Sequence, residues 1–537
     1  MNRYRLLFSI ILLLFFSPCL RAGEWQWSVT LDGFVSNETN RNPTAFLWIP
    51  ADCMQIKAII VGQHNMSEET LFDNPLFREK MQKLGIGFVW ITPGIDQQWD
   101  VSKGTQQIFE KMMVSLADVS GYSELKNVPI VPIGHSAMAT YPWNFAAWNP
   151  ERTLAIISLH GDAPRTNLTG YGRENLEWGR TRNIDGIPGL MIEGEYEWWE
   201  ARVNPALAFR MMYPESCISF LCDAGRGHFD VADETAAYIA LFLEKAINQR
   251  LTDEVTKDGK VKLNPVNPTK GWLAERWHPD QKKRAKAAPY SQYKGDPHDA
   301  FWYFDREIAE ATEARYTQSR GKQQQYLGFE QNGSLLTYDK KQHVRVQPRF
   351  NPEADGITFH LKAVCTDSLR TKLSDEHADA TPIISRICGP VEKVNDTTFI
   401  VSFYRMGMNN PRRTGDICLL ASQTGDRKYK SAVQEVSIRI PYRNTEGQRQ
   451  YILFPGLPDV KAESGSLPLK ATSDCGLPVS YYIKEGSAEI KGDQIVFTPI
   501  PPRSKFPVKV TVVAWQYGIA GKVQTAEPVE RNFYILK

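Results

Sequence analysis

The chain has 537 residues, 42 % hydrophobic and 23 % charged, with a formal charge of +2. That length exceeds one ordinary domain and points to two to four, while the composition is that of soluble globular protein. With Lys282-Lys283-Arg284 as the basic run that stands out, the charge balance argues against nucleic acid as a partner.

The first 22 residues do not read as part of a fold. Arg3 and Arg5 precede the apolar run 6–16, Pro18 breaks it, and Leu20-Arg21-Ala22 offers a small residue at a cleavage point. This is the pattern of a secretory signal peptide, too short for a stable membrane span. Cys19 offers a lipoprotein alternative, but Ser17-Pro18 before it matches a lipobox poorly. Loss of Arg3, Arg5 and Arg21 takes the formal charge from +2 to −1. No later stretch reaches the ~18 apolar residues of a transmembrane helix. The expectation is an exported protein, periplasmic rather than a surface lipoprotein, with no integral membrane span.

Residues 23–250 alternate strand-like and helix-like runs. Residues 57–62 (KAIIVG) read as a buried strand, and 67–84 as a helix capped by Ser67 and ended by Gly85. Residues 86–92 (IGFVWIT) are the next strand, 106–120 a helix and 128–133 (VPIVPI) a third strand. Residues 154–159, 189–192 and 218–222 continue the series, and 235–249 close it as an amphipathic helix. Repeated strand–helix–strand units imply a mostly parallel sheet covered on both faces. Residues 251–324 hold a polar, proline-rich strap and then 299–315, whose aromatic start and periodicity read as one helix. Residues 325–450 and 451–537 alternate apolar and polar residues between Gly/Pro/Asp-rich turns. Both read as antiparallel β-sandwiches of Ig-like size.

Seven cysteines follow the leader: Cys53, Cys217, Cys222, Cys365, Cys388, Cys418 and Cys475. Their odd number argues against a disulfide framework, although Cys365–Cys388 or Cys388–Cys418 could pair in an oxidising compartment. No cysteine pair has metal-ligand spacing and the histidines do not cluster, so neither a metal nor a cofactor is expected.

The strongest local signal is Gly134-His135-Ser136-Ala137-Met138-Ala139, after a strand and before an Ala-rich helical run. A serine on so sharp a turn presents its hydroxyl at the carboxyl end of the sheet, and the strained backbone needs small neighbours. Gly134 and Ala137 are small; Met138 stands where the G-x-S-x-G pattern has glycine. Gly225-Arg226-Gly227-His228-Phe229 follows the last strand, where a loop can return an imidazole to Ser136. The acid that orients it belongs just past 189–192. Glu197 is the first choice, Glu195 the second, and Asp162, after an earlier strand, the third.

The order serine, acid, histidine resembles that of the α/β-hydrolases over roughly 45–250. The resemblance implies a nucleophilic Ser136 and an oxyanion hole of two backbone amides. One is Ala137. The other lies in the loop Gln63-His64-Asn65-Met66, with His64 favoured by position, although the family's His-Gly-Gly is absent. Trp198, Arg165, Arg173 and Arg226 flank the same loops as candidate substrate contacts. Three segments, PIGHSAMATYPWNFAAWNPERTLAIISLHGD, IPGLMIEGEYEWWEAR and DAGRGHFD, further resemble exported α/β-hydrolases of gut Bacteroidetes. Some of these are carbohydrate esterases acting on pectin, including methylesterases on rhamnogalacturonan. The stretch LKATSDCGLPVSYYIKEGSAEIKGDQIVFTP is similar to bacterial Ig-like modules of exported glycan-degrading proteins. The implied partner is a plant oligosaccharide or polysaccharide.

Overall fold

The computed structural model describes residues 24–166, 175–197, 199–279, 281–342, 344–408, 410 and 412–537. The leader, Arg173 and Trp198 lie outside the described residues. No helix among the described residues is long and apolar enough to cross a membrane.

The first domain is an α/β-hydrolase fold. Its eight strands are β1 (Trp27–Thr30), β2 (Thr44–Trp48), β3 (Ala58–Gln63), β4 (Ile86–Thr92), β5 (Ile130–His135), β6 (Ile156–Leu159), β7 (Pro188–Gly194) and β8 (Cys217–Asp223). They lie in the order β1-β2-β4-β3-β5-β6-β7-β8. β1 and β2 pair antiparallel, and everything from β4 to β8 is parallel. β3, β5, β6, β7 and β8 are buried along their whole length, which is why they read as continuous apolar runs. The helices are α1 (Met66–Asp73), α2 (Pro75–Leu84), α3 (Thr105–Ser120), α4 (Tyr141–Trp148), α5 (Trp199–Met212) and α6 (Asp233–Arg250). One core packs α1, α2, α5 and α6 on one face, and a second packs α3 on the other.

Two expectations change. The helix expected over 67–84 is two, α1 and α2. Pro75 has no N–H to continue α1, and the Asn74 side chain instead accepts from Phe77 N at 2.9 Å, capping a fresh helix. Gly85, at φ +69°, does end α2. The single helix expected over 299–315 is a strand, Ala300–Tyr303, and a helix, Arg306–Thr317. The aromatic start pairs with Trp272–Glu275. It packs on β8, where Phe301 stacks on Phe220 at 4.8 Å. The strap thus shares the core of the first domain.

The remainder is all-β, in small antiparallel sheets. Residues 327–440 share a core that Trp515 and Tyr517 from the last segment complete. This middle β-region docks over the carboxyl ends of the hydrolase strands. Arg386 pairs with the wholly buried Glu69 of α1, whose other oxygen accepts from Tyr404 Oη at 3.0 Å. Phe229, two positions from the loop glycine at 227, is clamped by Ile387, Leu420 and Val433. The last segment packs elsewhere, through Arg503–Glu124 at 2.9 Å and Lys505 N to Ser120 O at 2.9 Å. Cys388 and Cys418 are direct cross-strand partners, whereas Cys365 donates to Gln423 at 3.2 Å; all seven described cysteines are free thiols.

Removing one partner of a buried ion pair leaves the other charge desolvated. Arg386→Ala is therefore expected to cost about 3 kcal/mol of stability, read as a lowered urea midpoint. A midpoint within error of the parent would show that Tyr404 alone satisfies Glu69.

Candidate active site

β5 ends at His135, and the next residue, Ser136, has φ +51°. Such a backbone costs roughly 1–3 kcal/mol and survives only where its surroundings enforce it. The surroundings are tight. A Cβ on Gly134 would stand 2.0 Å from Met138 O, so that position admits glycine alone. Met138 fits because its side chain lies over Gly94, where a Cβ would meet Met138 Cε at 2.7 Å. The close approach that usually requires glycine at that position falls one residue later, where a Cβ on Gly161 would be 2.0 Å from Ala139 Cβ.

The loop after β8 brings His228 back over the sheet, with its Nε2 2.8 Å from Ser136 Oγ. His135 Nε2 lies 2.8 Å from the His228 carbonyl and anchors that backbone. A Cβ on Gly194, at the end of β7, would be 2.5 Å from Gly227 O, so the bare glycine lets the two loops touch. Glu197 then reaches His228 Nδ1 with Oε2 and His160 Nδ1 with Oε1, and accepts from Gly194 N.

Arg202 of α5 lies 3.4 Å from Glu197, 2.6 Å from Glu193 and 3.5 Å from Asp162. Burial alone would raise the Glu197 carboxyl, but the two histidines hold it well below the usual carboxylate range. His160 feels the same burial in the opposite sense, and Glu197 outweighs it, so this imidazole is raised. His228 is dominated by burial and brought down to about 4 despite Glu197. Lowered in this way, His228 is neutral at ordinary pH and able to accept a proton from Ser136.

Of the expected site residues, the structure brings together Ser136, His228 and Glu197. Glu195 is held elsewhere: it takes Gly225 N at 2.8 Å and pairs with Lys430 of the β-region at 2.6 Å. Asp162 pairs with Arg202. The His64 amide corrects an expectation. The β3–β4 ladder runs one residue further than the strand, and His64 N donates to Ile91 O at 2.7 Å. The next amide, Asn65, meets no acceptor among the described residues, and neither does that of Ala137. The Asn65 side chain donates to His135 O at 2.7 Å, seating that loop against the serine turn. His64 itself is buried edge-on to Trp90.

Arg226 is engaged by Asp230 and Glu234 at 3.5 and 3.6 Å. Arg165 is held by Tyr213 Oη, by the rings of Trp178 and Tyr213, and by Glu177 at 3.8 Å. Neither guanidinium lines the two cavities beside the site. One cavity, about 820 Å³, is lined by His64 and Met66 together with Arg349, Tyr404, Arg413 and Tyr517. The other, about 110 Å³, holds Glu197 and His228 against Tyr338, Arg345 and Arg370. His160, Arg202 and Asn65 carry no motif; their sequence signal is their place at or just after the carboxyl ends of strands.

Ligand atoms of His160, Glu197 and His228 lie within 4.8 Å of one another, as do those of Glu275, His278 and Asp299. In the first set the facing atoms already bond to each other. In the second, Arg276 and Arg284 occupy the carboxylates.

No protein-family model matches the chain, and no curated protein matches it. Among solved structures it is similar to Est1E from Butyrivibrio proteoclasticus, at 17 % identity over 42 % of this chain and all of that one, with a TM-score of 0.28. It is similar to the enterobactin esterase FES from Shigella flexneri, at 12 % identity over 42 % of this chain and 59 % of that one, TM-score 0.31. A third is LpqC, a poly(3-hydroxybutyrate) depolymerase from Bordetella parapertussis, at 11 % identity over 41 % of this chain and 89 % of that one, TM-score 0.30. One fold hosts many chemistries, so function is argued from the side chains.

Two outcomes test this geometry. The acid limb of kcat/KM is expected near pH 4, because a buried neutral His228 must protonate to lose activity. The unfolded imidazole protonates first, near its ordinary ~6.5, so stability declines as pH falls from there toward the folded value. An acid limb at 6.5 would show a solvated imidazole instead. Glu197→Gln is expected to lower kcat by about a thousandfold or more. Glu195→Gln is expected to lower the melting temperature by loosening Lys430, with kcat changed by less than about tenfold. Equal kcat losses in both variants would contradict the division of roles.

Proposed function

We propose that the protein is an exported serine esterase acting on carboxylic esters of plant cell-wall polysaccharide, and specifically on methyl esters of pectin and rhamnogalacturonan oligosaccharides. The observation that carries the reading is the run of contacts from Ser136 Oγ through His228 to Glu197, with two unengaged amides beside the serine.

In the proposed reaction Ser136 Oγ attacks the ester carbonyl while His228 Nε2 accepts its proton. Glu197 holds the Nδ1 proton and stabilises the imidazolium as it forms. The amides of Asn65 and Ala137 face the developing oxyanion, each contributing about 3 kcal/mol to lowering the barrier. His228 returns the proton to the leaving alcohol, which is methanol for a methyl ester. It then activates the water that clears the acyl-enzyme. The β-region supports a polysaccharide substrate because it roofs the site and leaves the larger cavity open beside the oxyanion loop. The leader, the periplasmic address and the Ig-like character of the two C-terminal segments belong to the same reading.

The test is release of methanol against acetate from pectic and xylan oligosaccharides. Methanol from the pectic set is expected, and Ser136→Ala is expected to reduce it by at least about a thousandfold with the fold intact. Cleavage of peptides without any ester turnover would overturn the reading in favour of a peptidase, and undiminished turnover in the alanine variant would remove Ser136 from the mechanism.

A further inference from the structure

The smaller cavity places two arginines of the middle β-region opposite the hydrolase histidine. Arg345 and Arg370 both gather on Tyr338. Arg370 lies 4.2 Å from the ring centroid and also 5.1 Å from that of Tyr326. Arg345 lies 5.8 Å from the Tyr338 centroid and donates to its hydroxyl at 2.8 Å. Neither guanidinium forms an ion pair with a carboxylate among the described residues, unlike Arg226, Arg202 and Arg386. Arg370 Nε is buried without a hydrogen-bond partner, and its backbone stands at φ +56°. Two half-buried like charges repel each other, and each has lost part of its hydration. Such a pair persists most readily where an anion completes it.

The same wall carries Glu435. Burial pushes its carboxyl up while Arg345 and Arg370 draw it down, so this one carboxyl faces both guanidinium groups and limits how much negative charge the cavity accepts. That balance favours a single negative charge over a doubly charged phosphate. The planar fork of each guanidinium suits a carboxylate. Position completes the case: the cavity is bounded on its other side by His228 and Glu197, so an anion held there lies next to the histidine that contacts Ser136.

We infer that Arg345 and Arg370 form a carboxylate-binding subsite, through which the β-region selects esters carried on acidic saccharides that bear a free carboxylate next to the ester. The inference rests on the esterase reading for its substrate class. A guanidinium on each side of the free carboxylate would fix the register of the chain and set which ester meets Ser136.

The experiment is calorimetric binding of trigalacturonate and of neutral galactotriose to the full-length protein. The wild type is expected to bind the acidic trisaccharide at least about tenfold more tightly than the neutral one, with the preference shrinking at high salt. Arg345→Gln and Arg370→Gln are each expected to weaken trigalacturonate binding by about tenfold, and the lysine variants, which keep charge without the fork, by roughly threefold. If a glutamine variant fails to fold by circular dichroism, the lysine variant at that position is the one compared. Equal binding of the two sugars, or full affinity in both arginine variants, overturns the subsite. Inorganic phosphate displacing trigalacturonate where acetate at the same concentration does not would reassign the site to phosphate. Acidic-sugar preference in a protein that cleaves no ester would sink the esterase reading alone. An active esterase without that preference would sink only the subsite.

Discussion

The buried charge of Glu197 is the constraint from which most of the site follows. A lone carboxylate removed from water would take up a proton or leave the interior. Here two imidazoles, one guanidinium and a backbone amide surround it. Those partners explain residues that otherwise look incidental. His160 stands just past β6, Arg202 sits one turn into α5, and Glu193 on β7 holds Arg202 in place at 2.6 Å. The loops after β6, β7 and β8 bring His160, Glu197 and His228 to the same edge. Sharing the carboxylate also sets the two imidazoles apart, with His160 raised by Glu197 and His228 brought down by burial.

The β-region converts that edge into an enclosed site. It is fixed at the strand ends beside Ser136, Glu197 and His228, through Glu69 after β3, Glu195 and Tyr196 after β7, and Phe229 after β8. Docking and site geometry are therefore coupled. The loop that carries Glu197 is also the loop that Lys430 holds by its neighbour. Covering part of that edge takes Glu197 and His228 out of solvent, which strengthens the charge interactions between them. It also leaves two cavities, one beside the loop after β3 and one beside His228.

Local physics was legible along the chain. Continuous apolar runs marked β3 to β8 because strands buried on both faces have no polar side to show. The small residues around Ser136 marked a turn whose backbone leaves no room for a Cβ at position 134. Where sequence reading erred, two local codes competed. The aromatic start of 299–315 fits a helix or a strand, and pairing with Trp272–Glu275 decided for the strand. Asn74-Pro75 lay inside one long periodic stretch, and the missing proline N–H split it. α5 was not anticipated, since Pro205 interrupts it and the segment lacks a clear apolar stripe.

The sequence by itself determined the parallel sheet, the serine turn and the histidine loop, because each follows from the residues within a few positions of it. Only the tertiary structure decided which of two glutamates, two apart in the chain, meets His228 and which meets Lys430. It likewise decided which amide after β3 stays free of the ladder, and which arginines face the site. Those choices depend on partners tens to hundreds of residues away, and no local pattern carries that information.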